Sequence, residues 1–179
     1  MASALPADVS AGARLLALQC ALRMNACLRV QLSAGLLRGL RIDAAQVFRE
    51  LERSQWLSVV SGPGPAGTAV DLRDALLLGQ PPARPDRRRA ADWALRRACP
   101  VRMRAAEPRL QLLGVCLAAH SDPSSGDGQR ESERLLRECG MPDQELAGAL
   151  ARLTDSRVLE GWRICPESGD AHWTFTLGQ

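Results

Sequence analysis

The chain has 179 residues and a formal net charge of +3, and all 23 of its strongly basic side chains are arginines. An apolar fraction of 46% is typical of a soluble globular protein and excludes a disordered chain. The apolar runs are far shorter than the roughly 20 residues that span a bilayer, and the first residues lack the pattern of a signal peptide. We expect a cytoplasmic protein without membrane contact.

The sequence contains no recognisable catalytic or metal-binding motif. None of its six cysteines forms a C-x-x-C pair or lies beside His120 or His172, whereas zinc and iron–sulfur sites need clustered ligands. A glycine-rich phosphate loop and a G-x-S-x-G motif are also missing. We expect no metal, no cofactor and no enzymatic activity.

Charge is distributed unevenly along the chain. Residues 1–83 have a net charge of +2, residues 84–109 of +6 and residues 110–179 of −5. The segment Gly79–Asp86 contains three prolines, so we predict a linker there and neither a helix nor an inner strand. The resulting division is a first domain at 1–78, a Pro/Arg-rich connector with a basic helix at 79–105, and a second domain at 106–179.

Three helices and two strands are predicted in the first domain. Apolar residues recur at helical spacing, and Asp43 is a good N-cap for the third helix. Trp56–Val60 and Thr68–Leu72 have the pattern of strands on either side of a turn rich in glycine and proline. The helices are expected at Ala11–Asn25, Gln31–Leu40 and Asp43–Ser54.

The second domain repeats this order of elements. A shift of 99 positions pairs Leu36-Leu37-Arg38 with Leu135-Leu136-Arg137, and the matching order of elements indicates an internal repeat. A loop rich in Ser, Gly and Asp is predicted at Asp122–Gly128. The helices are expected at Glu107–His120, Glu131–Cys139 and Pro142–Leu153, and the strands at Val158–Cys165 and His172–Leu177.

Helix, helix, short turn, helix and β-hairpin is the order of the winged helix-turn-helix. The segments Leu36–Leu57 and Leu135–Leu153 resemble the corresponding part of winged-helix domains in bacterial, notably actinobacterial, transcriptional regulators. The resemblance implies a mainly α fold with small β-hairpins, of the α+β class, with two winged-helix domains in tandem. In that fold the third helix enters the major groove of DNA.

The third predicted helix of the first domain carries the candidate DNA-reading side chains. Val47 and Leu51 face inward, and polar side chains recur at i, i+3, i+4 and i+7 on the opposite face. Arginine can bond bidentately to guanine and glutamine to adenine, and a glutamate can accept from cytosine or orient an arginine. The candidates are Gln46, Arg49, Glu50 and Arg53, with Arg38 and Arg41 beside the preceding turn as phosphate contacts. The alternative is a solvated helix face held by intrahelical ion pairs.

The basic helix expected from Asp86 to Ala98 is a second candidate DNA contact. Its clustered arginines would neutralise several phosphates, and it lacks the broad apolar face of a membrane-binding helix. The arginines concerned are Arg87, Arg88, Arg89, Arg96 and Arg97. Alternatively, this helix packs against the acidic second half of the chain.

The third helix of the second domain departs from the DNA-reading pattern. At the four equivalent positions it has small or acidic residues and a single arginine: Glu145, Gly148, Ala149 and Arg152. Its acidic surroundings repel phosphate, whereas small side chains let another helix approach closely. We expect this domain to contact protein, either its own copy in a homodimer or a partner.

These features together predict a protein that binds double-stranded DNA and regulates transcription. One alternative is a protein-interaction adaptor, because winged helices such as the accessory subunits of condensin-like complexes often bind proteins. Another is a plasmid replication initiator, which resembles two winged helices in tandem.

Overall fold

A computed structural model describes residues 5–6, 8–62, 67–79, 81–98 and 107–176, with the backbone alone at positions 97 and 98. The chain divides into two compact units, Met1–Arg96 and Arg97–Gln179. The described part is α+β, with seven α-helices and two three-stranded antiparallel sheets. This agrees with the predicted mixed class. No helix within those ranges is long and apolar enough to cross a membrane.

The elements of the first unit are α1 (Ala11–Arg23), β1 (Arg29–Leu32), α2 (Ala34–Leu40), α3 (Ala44–Arg53), β2 (Leu57–Ser61), β3 (Thr68–Leu72), a 3-10 turn (Ala75–Leu78) and α4 (Arg84–Ala98). The strand order is β1-β3-β2, and β3 is antiparallel to both neighbours. Side chains of Ser10, Ser33 and Asp43 accept hydrogen bonds from the first turns of α1, α2 and α3. These N-caps fix where the three helices begin.

The core of the first unit is built from aliphatic side chains. Leu15 of α1, Leu32 of β1, Leu40 of α2 and Leu51 of α3 are fully buried, and Val70 of the central strand β3 lies among the buried residues. Burial of a side chain of this size stabilises the fold by about 1.5–3 kcal/mol. The buried side of α3 therefore determines which of its residues face solvent.

Helix α4 packs against α1 within the first unit. Ala91 and Ala94 are buried, and the Gln19 side-chain amide donates to the carbonyl oxygen of Ala91 over 3.2 Å. Arg23 and Asp92 form an ion pair of 2.7 Å. The small residues of α4 thus face α1, and most of its arginines lie on the remaining surface.

The elements of the second unit are α5 (Pro108–Ala119), β4 (Asp127–Glu131), α6 (Ser132–Cys139), α7 (Asp143–Asp155), β5 (Leu159–Ile164) and β6 (Asp170–Phe175). The strand order is β4-β6-β5, again with antiparallel pairs. Helices α5, α6 and α7 contact one another around fully buried leucines. These are Leu113, Leu117, Leu135, Leu146, Leu150 and Leu153.

The two units repeat one another down to backbone details. Each has the order helix, strand, helix, helix, strand, strand, and in each the last strand lies between the other two. Left-handed backbone occurs at equivalent positions after the second helix, at Arg41 (φ 53°) and Gly140 (φ 59°), and after the third, at Gln55 (φ 56°) and Arg157 (φ 55°). The internal repeat predicted from the sequence therefore extends to the connections between elements.

Two predicted segments were wrong because the first strand of each unit was missed. The predicted helix Gln31–Leu40 begins only at Ala34, since residues 31 and 32 belong to β1. The predicted loop Asp122–Gly128 ends in β4, which begins at Asp127. Both strands pair with a partner about 40 residues later in the chain, so neighbouring residues give no signal of the pairing.

The expectation of a non-helical linker at Gly79–Asp86 was also wrong at its end. Helix α4 begins at Arg84, with Pro85 in its first turn, where the missing N–H has no helical partner to lose. The other predicted helices and strands agree with the observed bounds to within two residues. Leu177, the predicted end of the last strand, lies outside the described residues.

Candidate nucleic-acid interface

Helix α3 has one buried and one exposed side. Val47 is 4% exposed and Leu51 is fully buried, whereas Gln46, Arg49 and Arg53 are exposed. Positions i, i+3 and i+7 fall on one side of a helix, so the three polar side chains form a single ridge. Aliphatic side chains therefore face inward as predicted, and three of the four polar side chains predicted on the exposed face are exposed; the fourth, Glu50, is not.

Glu50 lies beside the ridge and is half-buried. Its Oε2 accepts a hydrogen bond from the Ser10 backbone N–H over 3.2 Å, and its Oε1 accepts from Gln46 Nε2 over 3.1 Å. Within the described residues Glu50 forms no ion pair with Arg49 or Arg53. Instead, Arg49 donates from Nε to the carbonyl oxygen of Ala45 over 3.2 Å.

Two further arginines lie at the end of α2, next to the start of α3. Arg38 is in the last turn of α2, and Arg41 is its C-cap in the left-handed conformation. Both side chains are exposed. No carboxylate pairs with any of the four arginines of α2 and α3 in the described part of the chain, namely Arg38, Arg41, Arg49 and Arg53. Their positive charge is therefore not neutralised internally by the described residues.

The arginines of α4 have mixed surroundings. Arg88 and Arg96 are exposed, and neither pairs with an acid among the described residues. Arg89 forms an ion pair with Asp86 one turn away. Arg87 is half-buried and donates from Nε to the carbonyl oxygen of Pro82 over 3.1 Å, which directs its guanidinium towards the chain. The side chain of Arg97 lies outside the described residues.

One arginine of the sheet is neutralised by a neighbouring strand. Arg29 of β1 faces Asp71 of β3 in the strand register and donates to it from two nitrogens, over 2.7 and 2.9 Å. Hydrogen bonding from Arg29 lowers the pKa of the Asp71 carboxyl. This pair is a cross-strand contact of the sheet, so Arg29 is not among the available positive charges.

The equivalent surface of the second unit is neutralised internally. Glu145 forms an ion pair with Arg109, and Arg152 pairs with Glu107 over 3.2 Å. Gly148 is exposed, and a Cβ added there would meet nothing within 4 Å. The third equivalent position, Ala149, is buried, so α7 offers small side chains and paired charges where α3 offers unpaired arginines.

The sequence did not reveal how α3 is tied to the rest of its unit. Ser10 was not a predicted partner of Glu50, and its N–H lies 40 positions earlier in the chain. Glu52 accepts from the Val59 backbone N–H over 3.1 Å, which links α3 to β2. Neither contact has a sequence signal, because both depend on tertiary packing.

No group of three or more His, Cys, Asp or Glu side chains in the described residues is arranged to hold a metal ion. The chain matches no protein-family model, no curated protein and no solved structure.

Proposed function

We propose that the first unit binds double-stranded DNA and that the protein regulates transcription through this contact. The observation that carries the proposal is the ridge of α3, where Gln46, Arg49 and Arg53 are exposed opposite buried Val47 and Leu51. The two guanidinium groups pair with no carboxylate of the described residues. They are therefore available to guanine edges and phosphates, as Gln46 is to adenine.

The architecture supports this assignment of α3. We propose that each unit is a winged-helix domain, since its first three helices are followed by an antiparallel β-hairpin, with one further strand between the first two helices. In such domains the third helix lies in the major groove, and α3 is the third helix of its unit. Arg38 and Arg41 precede α3 directly, so they would meet the phosphates that flank the groove.

Helix α4 adds phosphate contacts in this proposal. Arg88 and Arg96 are exposed and have no acid partner among the described residues. Together with the two arginines at the end of α2, they make four phosphate contacts. Four contacts correspond to a slope of about −3.6 for the logarithm of affinity against the logarithm of salt concentration.

We assign protein contact to the second unit. Its paired charges leave α7 without free arginines at the equivalent positions, and residues 110–179 have a net charge of −5. The exposed Ala147 and Gly148 let a partner backbone approach α7 closely. A second copy of the chain and another protein both fit this surface.

A salt titration tests the proposed DNA contact. Fluorescently labelled duplexes of random sequence are titrated at about 50 and about 200 mM salt, and the slope of −3.6 predicts an affinity about 150-fold weaker at the higher concentration. Changing Arg88 and Arg96 together to Ala should reduce the slope by about 1.8. Arg134, which pairs with Glu131, and Arg163 of the second unit are both exposed and provide the control: changing them to Ala removes the same number of arginines and should leave the slope unchanged.

The base-reading role of α3 needs a separate measurement. Duplexes selected from a random library by the wild-type protein should be bound with less discrimination after Arg49→Ala and Arg53→Ala. Unchanged discrimination would reject α3 as the reading helix. Absence of duplex binding at both salt concentrations would reject the proposed function and favour the protein-interaction adaptor.

A further inference from the structure

Glu50 connects the exposed ridge of α3 with the N-terminus of α1. One of its carboxylate oxygens accepts from the Ser10 N–H over 3.2 Å, and the other accepts from Gln46 Nε2 over 3.1 Å. Glu50 is half-buried, whereas Gln46 is exposed. Because a carboxylate can only accept hydrogen bonds, the atom of the Gln46 amide that faces it is the nitrogen.

We propose that Glu50 is a positioning residue that sets the orientation of the Gln46 amide and thereby makes Gln46 a reader of adenine. This inference rests on the proposed DNA contact of α3. With one N–H bound to Glu50, the Gln46 amide presents one acceptor and one donor outward. Adenine offers the complementary pair in the major groove, a donor at N6 and an acceptor at N7.

The surroundings of Glu50 explain why an acid lies beside a ridge of arginines. Both of its oxygens have hydrogen-bond partners within the protein. Its negative charge lies at the N-terminus of α1, where the helix dipole favours an anion. In this proposal Glu50 acts on DNA recognition through Gln46, the exposed side chain to which it is bonded.

Substitution of Glu50 has two different consequences in this scheme. Glu50→Ala releases the Gln46 amide, which can then turn over and present its oxygen and nitrogen in either order. In Glu50→Gln the new amide oxygen can still accept from the Ser10 N–H, while its NH₂ group donates to Gln46 Oε1. The Gln46 amide is then turned over, with its oxygen towards residue 50 and its two N–H groups outward. These two donors match the two acceptors O6 and N7 of guanine.

The experiment is a selection from a duplex library with a random core, carried out with the full-length wild-type protein and variants, followed by sequencing. The wild type should enrich adenine at one position about 5- to 150-fold over other bases, and Gln46→Ala should abolish that enrichment. Glu50→Ala should abolish it at the same position while the salt slope is unchanged. Glu50→Gln should replace adenine by guanine there.

Ser10→Ala is the control for a merely structural role. It removes the side-chain cap of α1, which accepts from the Ala13 N–H, but keeps the Ser10 N–H and the Glu50–Gln46 bond. It should lower the melting temperature without changing the preferred base. Adenine enrichment that survives Glu50→Ala would overturn the inference and leave the proposed function standing. Failure of the wild type to bind any duplex would instead overturn both.

Discussion

Arg41 combines a strained backbone with a side chain that has no acid partner among the described residues. It is the C-cap of α2 at a φ of 53°, a conformation that favours glycine. The second unit has Gly140 at the equivalent position, with a φ of 59°. We expect Arg41→Gly to stabilise the first unit and to weaken DNA binding at the same time.

The gain in stability can be estimated from the backbone conformation of Arg41, and the loss of DNA binding from its charge. Left-handed backbone costs a residue other than glycine about 1–2 kcal/mol, and the greater freedom of glycine in the unfolded chain offsets about 0.5–1 kcal/mol of that. The net gain from Arg41→Gly is about 0.5–1 kcal/mol, which raises the melting temperature of a unit of this size by about 2–8 °C. Loss of one phosphate contact reduces the salt slope by about 0.9.

Arg41→Ala separates the two effects, because alanine removes the guanidinium but keeps the strained backbone. Calorimetry should give Arg41→Ala a melting temperature close to that of the wild type, and Arg41→Gly a higher one. In duplex titrations, both variants should reduce the slope of log affinity against log salt concentration by the same amount. If Arg41→Gly melts no higher than Arg41→Ala, backbone strain at this position does not limit stability. If both variants retain the full slope, Arg41 does not contact phosphate.

Two further predictions concern packing and thiol reactivity. A Cβ at Gly128 would overlap the indole ring of Trp173, so Gly128→Ala should destabilise the second unit by about 1–3 kcal/mol in urea denaturation. Gly148→Ala in open space on α7 should be neutral or stabilising by up to about 1 kcal/mol, and equal losses in the two variants would contradict this reasoning. Burial raises the pKa of the Cys20 thiol to about 12, whereas Cys27 is exposed. At pH 8, iodoacetamide should therefore label Cys27 in the folded protein and Cys20 only after unfolding, as mass spectrometry can verify.

Local sequence patterns predicted most of the helices because the signals for a helix lie within the helix itself. The N-cap at Asp43 and the spacing of Val47 and Leu51 are enough to place α3 and its buried side. Strands β1 and β4 have no comparable signal. Each has four or five residues, and its hydrogen bonds go to a strand about 40 residues later, so tertiary pairing decides the conformation.

In the candidate site too, the sequence predicted the features that depend on a single helix and not those that depend on tertiary packing. Helical periodicity placed Gln46, Arg49 and Arg53 on one exposed side of α3, because that property depends on α3 alone. The role of Glu50 depends on a backbone N–H at Ser10, which reaches α3 only through the packing of α1. From the sequence, Glu50 was expected to meet a base or an arginine, and its actual partners could be found only in the folded unit.

The comparison of the two units shows how one backbone can support two different surfaces. In the second unit the N-cap of the first helix is Glu107, and its carboxylate binds Arg152 of α7. In the first unit the N-cap is Ser10, which offers no charge to Arg53, the arginine equivalent to Arg152. The N-cap of the first helix thus neutralises the last arginine of the third helix in the second unit, and the first unit has no acid at that N-cap. Glu107 lies outside the helix-turn-helix segment, so that segment alone would not have predicted that Arg152 is neutralised.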